Sequence, residues 1–409
     1  MTEADLGTRD PKGSLTDRQR QVFEAYERLG SIRAVARELG IHRRGVDRHL
    51  AMCSRKGCAP GLERAPGVPG FVISPKTTVH YKDGQVVEEW RRLSPAHEDI
   101  ESAVQALEDR VRGRAPRLGQ PPRDVEQDLL LEIPIPDLHM GMLSWEPETG
   151  ADYDCKIAAD LVLCGMRSIL LEAPYVSKIV MVVMGDYYHS DNRQGMTEKS
   201  GNILDTDSRF ARRVDAGIRV LYESIELAAQ VATSVEVIII PGNHDWHSAT
   251  WLVRVMAAYY CQDERVHIRT SPRPQQYLQH GKVMLAYVHG DTINMKRFAA
   301  LAPAAEPTMW AATEYRYGRI GHWHKRASTS ADEFPGIVVE TLPTLAAPEA
   351  YAAERGLLSS RAMVAYLWSA EWGLRARMER SVQELQRRIN EQGKTDVGQD
   401  VSKVRSCVA

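Results

Sequence analysis

Five short clusters of Asp, His and Asn punctuate the chain between residues 137 and 324. They are Asp137-Leu138-His139, Gly185-Asp186, Gly242-Asn243-His244-Asp245, His289-Gly290-Asp291 and Gly321-His322-Trp323-His324. Carboxylates, imidazoles and one carboxamide oxygen are metal ligands of intermediate hardness. With no thiolate among them, they suit Mn, Fe, Zn or Ni better than Ca or Mg alone, and they do not suit a structural zinc site. Asp137 and His139 stand two apart, so an extended chain would present both on one face. Each cluster alone is weak, because a turn or a satisfied core histidine explains any one of them. Five together, four of them directly after apolar runs, form a strong joint signal.

The apolar runs before four of the clusters, at 129–135, 179–184, 235–240 and 283–288, are strand-sized. Helical stretches near 155–172, 207–232 and 250–261 alternate with them, which predicts an α/β body. In open α/β sheets ligands bind at the carboxyl ends of the strands, where loops gather residues distant in sequence. Residues 373–391 predict a final amphipathic helix with Leu374, Met378, Val382, Leu385 and Ile389 on one stripe, followed by a polar tail. No P-loop and no G-x-S-x-G element is present, which argues against nucleotide-triphosphate and serine-hydrolase chemistry.

The 409 residues, 43% hydrophobic and 26% charged, allow two or three globular domains. No apolar run approaches the ~18 residues of a membrane span. The polar N-terminus and only six cysteines predict a cytoplasmic protein without a disulfide framework. Net charge is −2, but residues 12–58 carry eleven Lys/Arg against five acids and so hold +6, leaving −8 elsewhere. Such a head suggests a polyanion partner; a solvated helical face is the plain alternative. Within it Thr16-x-x-Gln19 predicts a capping box. Three helices follow, broken at Gly30 and Gly40, and the stretch from Ser31 to Leu50 resembles a helix-turn-helix. In that geometry His42, Arg43, Arg44 and Arg48 would face nucleic acid. Residues 68–94 predict a β-hairpin about Asp83-Gly84. Residues 95–128 predict a helix and a Pro/Gly-rich linker, 129–372 the catalytic body, and 373–409 the last helix and tail.

In their order, D-x-H, G-D, G-N-H-D, H-G-D and G-H-x-H resemble the calcineurin-like metallophosphoesterase superfamily. The opening D-L-H-x-G and closing G-H-x-H are similar to its nuclease branch, the double-strand-break repair exonucleases. A helix-turn-helix head before such a body also resembles phosphoesterases of phages and prophages. The resemblance implies a metallophosphoesterase β-sandwich flanked by helices. It implies two divalent cations, Mn foremost, with one held by Asp137, His139, Asp186 and His324 and the other by Asp186, Asn243, His289 and His322. It further implies a hydroxide between them as nucleophile and His244 as the acid that protonates the leaving oxygen.

One departure stands out. Where the family reads G-D-x-x-D, this chain has Gly185-Asp186-Tyr187-Tyr188-His189. Asp191 is then a candidate to orient His244, and His189 a candidate to act on substrate directly. The polar stretch 191–213 offers arginines and lysines for substrate phosphates, of which Arg209 is carried forward, with Lys325 beside His324. The leading expectation is a metal-dependent DNA nuclease. Three rivals stand beside it: a phosphatase or small-nucleotide phosphodiesterase with a protein-binding head, a DNA-binding regulator with a sensing body, and a phage assembly factor. No membrane partner is expected, and a homo-oligomer stays open.

Overall fold

The computed structural model describes residues 15–29, 31–55, 71–73, 78–82, 85–90, 93–95, 105–116, 118–197, 202–323, 331–356 and 360–392. The helix stop at Gly30, the turn at Asp83-Gly84, His324, Lys325 and the polar tail lie outside the described residues. The chain divides into two units, Met1–Ser102 and Ala103–Ala409.

The first unit holds α1 (Asp17–Leu29), α2 (Ile32–Glu38) and α3 (Arg43–Arg55). The capping box forms reciprocally: Thr16 N–H donates to Gln19 Oε1 at 3.1 Å, and Gln19 N–H to Thr16 Oγ1 at 3.4 Å. Val22, Ala25, Val35, Ala36 and Val46 form a small core shared by all three helices. Gly40 takes a φ of 61° between α2 and α3, a left-handed value that favours glycine. His42, Arg43, Arg44 and Arg48 are exposed around the start of α3. Two antiparallel strand pairs complete the unit. β1 (Phe71–Ile73) pairs with β4 (Leu93–Pro95), and β2 (Thr78–Lys82) pairs with β3 (Gln85–Trp90).

In the second unit a short helix α4 (105–111) precedes β5 (Glu126–Ile135). The segment between them is not a free linker. Gly113 and Ala115 N–H donate to the carbonyls of Ala258 and Tyr259, and Arg265 Nη1 donates to Gly119 O. The elements that follow include α5 (Glu146–Thr149), α6 (Cys155–Glu172), β6 (Val176–Met184), α7 (Phe210–Ala228), β7 (Ala232–Ile240) and α8 (Trp246–Tyr259). Then come β8 (Val266–Ile268), β9 (Gln275–His280), β10 (Val283–Val288), α9 (Met295–Ala305), α10 (Pro307–Ala312) and β11 (Tyr315–Ile320). The remainder is β12 (Ala331–Phe334), β13 (Ile337–Thr341), α11 (Ala350–Glu354), β14 (Ala362–Ser369), β15 (Gly373–Ser381) and α12 (Val382–Gln392).

Two mixed sheets result, ordered β15-β14-β5-β6-β7-β8 and β12-β13-β11-β10-β9. Alternation along β6 explains their stacking. Val180, Val182 and Met184 join Ile238, Leu285, Tyr287 and Trp368 in a layer between the sheets, whereas Ile179, Met181 and Val183 face the helix-side cluster. Helices α6, α7, α8 and α12 cover that outer face, and α9 covers the outer face of the second sheet. The layers therefore run helix, sheet, sheet, helix. A buried polar network crosses the middle. Arg319 of β11 donates to Glu132 of β5 at 3.3 Å and Glu340 of β13 at 3.0 Å. Trp368 Nε1 donates to Glu132 at 2.9 Å, and Tyr366 Oη donates to Glu340 at 2.8 Å. With every member partnered, a buried charge of this kind is sustainable.

The expected helix over 373–391 is corrected. Residues 373–381 are strand β15, paired antiparallel with β14, and only Val382–Gln392 is helical. Leu374 and Met378 fit a helical stripe, but Leu374 is exposed and only Met378 is buried, as suits a sheet-edge strand. The body thus continues past 372, because β15 and α12 complete its sheet and helix layers.

One ion-pair site on the sheet carries a pH prediction. Glu236 on β7 bonds Arg269 and meets Lys178 at 3.2 Å. Burial resists its ionisation, but Arg269 and Lys178 win and hold its carboxyl below the usual range. A depressed folded pKa means that stability is present above the unfolded pKa, about 4.3, and is lost as pH falls through the folded value. Glu236→Gln should therefore cost about 1–3 kcal/mol at pH 7. Denaturant melts should show that gap closing below pH 4; a gap constant with pH would refute the assignment.

Candidate metal centre

β5, β6 and β7 are parallel neighbours, with Ile135 beside Val183 and Met184 beside Ile240. Their carboxyl ends therefore leave the sheet at one edge. β10 and β11 are likewise parallel, with Val288 beside Ile320. The five segments after these five strands are the five clusters. Asp137, His139 and Asp186 bring one ligand atom each to within 4.8 Å of one another, and so do Asp186, His289 and His322. Asp186 belongs to both groups. Asn243 Oδ1 lies 3.2 Å from His289 Nε2, which adds the carboxamide to the second group. His139, His189 and His244 make a third close group.

The backbone is held in uncommon conformations to achieve this. Asp137, His139, Asp186 and His322 have φ of 48°, 49°, 47° and 66°. Such left-handed values cost of order 1–3 kcal/mol at a non-glycine residue and persist only where surroundings impose them. They also correct a detail: Asp137 and His139 reach the same site through a left-handed turn, not along an extended strand. The turn is tied down by His139 N–H to Asp186 O at 2.8 Å, Tyr153 Oη to Leu138 O at 2.6 Å and Thr344 Oγ1 to Asp137 O at 2.6 Å. Tyr153 and Thr344 lie outside every motif and had no sequence signal. Glycines make the close approaches possible. A Cβ on Gly242 would stand 2.1 Å from Asp186 Oδ1, and one on Gly321 would stand 2.7 Å from Asp137 Oδ2.

Asp245 is the hidden support of the site. Fully buried, its carboxylate accepts N–H bonds from Asp186 (3.1 Å), Tyr187 (2.8 Å), Tyr188 (3.2 Å) and Gly242 (2.8 Å). It thus clamps the loop after β6 to the loop after β7. Burial and then the Asp186 charge push its carboxyl up to about 7, against the pull of its N–H donors.

The donor set fits divalent cations. Asp137, His139, Asp186 and His289 are all almost completely buried. His289 Nδ1 donates to Met184 O at 3.0 Å, which turns Nε2 toward Asp186 Oδ2 at 3.2 Å. Fixing a ligand imidazole by its other N–H is the usual outer-shell device of metal sites. Burial disfavours a charged His289, but Asp186 and Asp137 outweigh it and raise it to about 10. Burial likewise opposes ionisation of Asp186, and the imidazoles of His289, His244 and His139 hold its carboxyl far below the usual range. Burial and His289 lower His322.

His244 donates Nδ1–H to the His189 carbonyl at 2.9 Å, and its N–H donates to Asp186 Oδ1 at 2.8 Å. The expectation that Asp191 orients His244 is corrected. The Asp191 carboxylate instead accepts the His247 and Ser248 N–H groups, both at 2.8 Å, at the N-terminus of α8. Two backbone N–H groups and the helix dipole there outcompete a single imidazole. The His189 backbone does what a carboxylate was expected to do. Its side chain is buried, with Nδ1 at 3.2 Å from His139 Nδ1, and burial and then His244 push it down to about 3. Arg209 is exposed at the N-cap of α7. Arg213 is buried, donating to Ser190 Oγ at 3.0 Å, and is a structural residue.

No protein-family model and no curated protein matches the chain. Among solved structures it is similar to the phosphoesterase YfcE of E. coli, at 15% identity and a TM-score of 0.28, over 61% of this chain and 98% of that one. A Streptococcus pneumoniae protein described as a predicted phosphoesterase gives 10% identity and a TM-score of 0.27, over 63% and 99%. The 5′-nucleotidase of Candida albicans gives 9% and 0.33, over 68% of this chain and 56% of its own. These likenesses are distant.

Proposed function

We propose that the chain is a two-metal phosphodiesterase of the calcineurin-like metallophosphoesterase superfamily, acting on DNA. One observation carries the hydrolase reading: two Asp/His clusters share Asp186, built from the segments that follow three parallel strands of one sheet and two of the other. Asp137 and His139 would hold one cation and Asn243, His289 and His322 the other, with Asp186 on both and His324 completing the first. When bound, such a pair supplies positive charge for a phosphate and an activated water. The protein's own part is to place a proton. With Nδ1 committed to the His189 carbonyl, protonated His244 presents its remaining N–H at Nε2, suited to a departing alkoxide. The nearly complete burial of Asp137, His139, Asp186 and His289 limits the water that could compete.

DNA as substrate is supported by the exposed His42, Arg43, Arg44 and Arg48 at the start of α3, after a glycine turn. No described helix is long and apolar enough to cross a membrane.

The test is Mn-dependent cleavage of bis(4-nitrophenyl) phosphate and of end-labelled single- and double-stranded DNA, with Asp186→Ala as control. Both activities should be present and both lost in the variant. A metal-saturated protein inert toward every phosphate ester refutes the hydrolase; activity on the aryl ester but none on DNA returns the smaller-substrate alternative.

Two finer outcomes follow. His244→Ala should keep manganese binding by calorimetry while turnover falls about 10²–10⁴-fold, the range for a lost general acid; lost metal binding instead would make His244 a ligand. Removing Arg44 and Arg48 together should weaken duplex binding and lower the slope of log K against log salt by about 2, one per phosphate contact. An unchanged slope would remove the head from DNA binding.

A further inference from the structure

A cleft of about 430 Å³ opens against the loop that carries Asn243 and His244. It is distinct from the metal centre, yet Pro241 and Trp246, the residues flanking that loop, both line it. Each is two residues from Asn243 or His244, a span of at most about 7 Å along the chain. The inner side of the loop faces the ligands, since Gly242 abuts Asp186 and Asn243 meets His289. One short segment thus separates the cleft from the cations' positions.

The walls state a chemistry. α8 contributes Trp246, Val253 and Arg254 at positions that share a helix face. The strand-end segment after β8 supplies Thr270 and Ser271 opposite. Trp246 leaves 52% of its surface exposed, so part of its indole is open to a ligand in the cleft. Arg254 is exposed too, with only a 3.5 Å ion pair to Glu108. The Ser271 oxygen accepts from Arg273 N–H at 3.4 Å, which leaves its own O–H to donate. A flat aromatic wall, apolar sides and a rim of hydroxyl and guanidinium donors suit a planar heteroaromatic ring with acceptors on its edge. The volume lies in the ordinary range of ligand clefts, about 300–1,000 Å³.

We propose that this cleft between α8 and the segment after β8 receives an unstacked nucleobase of the substrate, stacked on Trp246, next to the phosphate at the metal centre. This rests on the phosphodiesterase reading and adds a selection rule: the base must leave its duplex stack, so single-stranded or frayed ends are bound before intact duplex. Base–aromatic stacking accounts for affinity without requiring a sequence.

The experiment separates this from hydrolysis. Full-length protein in EDTA is titrated, by anisotropy, with a fluorescein-labelled thymidine trinucleotide and with its abasic tetrahydrofuran counterpart. Wild type should bind the base-bearing trimer roughly tenfold or more tightly. Trp246→Ala should abolish that preference and Trp246→Phe should keep most of it; circular dichroism verifies the fold of each. Equal affinity of wild type for both trimers, or a preference that survives Trp246→Ala, overturns the pocket. If the preference holds but bis(4-nitrophenyl) phosphate is not hydrolysed with Mn, the hydrolase reading fails and the base site stands.

Discussion

Asp245→Ala should be the most damaging single substitution in the body, though Asp245 is not among the ligands. Removing the carboxylate leaves the N–H groups of Asp186, Tyr187, Tyr188 and Gly242 without their acceptor, deep in the protein. A buried donor left unsatisfied costs about 1–3 kcal/mol. Even at the lower end, four of them take about 4 kcal/mol from a domain whose whole margin is about 5–15 kcal/mol. Asp191→Ala is the instructive contrast. It removes a carboxylate from the same helix start, but one that caps two N–H groups, and caps are worth about 0.5–2 kcal/mol. Denaturant melts of both variants should therefore differ by several-fold in lost stability, and Asp245→Ala should also lose manganese binding while Asp191→Ala keeps it. Equal losses would mean that Asp245 is an ordinary cap.

Gly242→Ala should damage the site more than the fold. Its φ is not in the left-handed region, so the backbone tolerates alanine, and the difficulty is purely one of space. The new methyl would stand 2.1 Å from Asp186 Oδ1 and 2.3 Å from Asp186 N, so either the carboxylate shared by both clusters or the loop must shift by about 1 Å. A misplacement of that size costs about 10²-fold in rate. Hydrolysis should fall by about that factor and calorimetric manganese affinity by about 10–100-fold, with a stability loss of about 1–3 kcal/mol, the usual cost of overpacking, smaller than that of Asp245→Ala. Gly119→Ala, which meets nothing within 4 Å, is the matched control and should do neither. Unchanged metal affinity in Gly242→Ala would show that Asp186 does not hold the position assigned to it.

How much of this was legible beforehand differs between the elements. Four of the five strands before the clusters were readable because parallel strands buried on both faces are near-continuous apolar runs, as in Ile179 to Met184, whereas β11, with Arg316 and Arg319, is not such a run. The capping box at Thr16 and Gln19 was readable because it depends on residues three apart. Residues 373–381 misled because Leu374 and Met378 are four apart, a spacing that places two residues on one face of a helix and of a strand alike. Asp191 misled for a related reason: sequence placed it near the imidazole, but only the packed start of α8 reveals the two N–H groups that bind it.

From the chain alone came the candidate ligands, since carboxylate and imidazole chemistry resides in the residue type and each cluster is local. Tertiary structure alone decided which atoms meet, which backbone carbonyl holds His244, and that Asp245 binds two loops together. Those contacts join residues about 50 to 200 positions apart, and sequence separation carries no distance until the sheets have fixed their registers. The cleft beside Trp246 belongs to the same class, because a void is a property of packed neighbours and of no residue by itself.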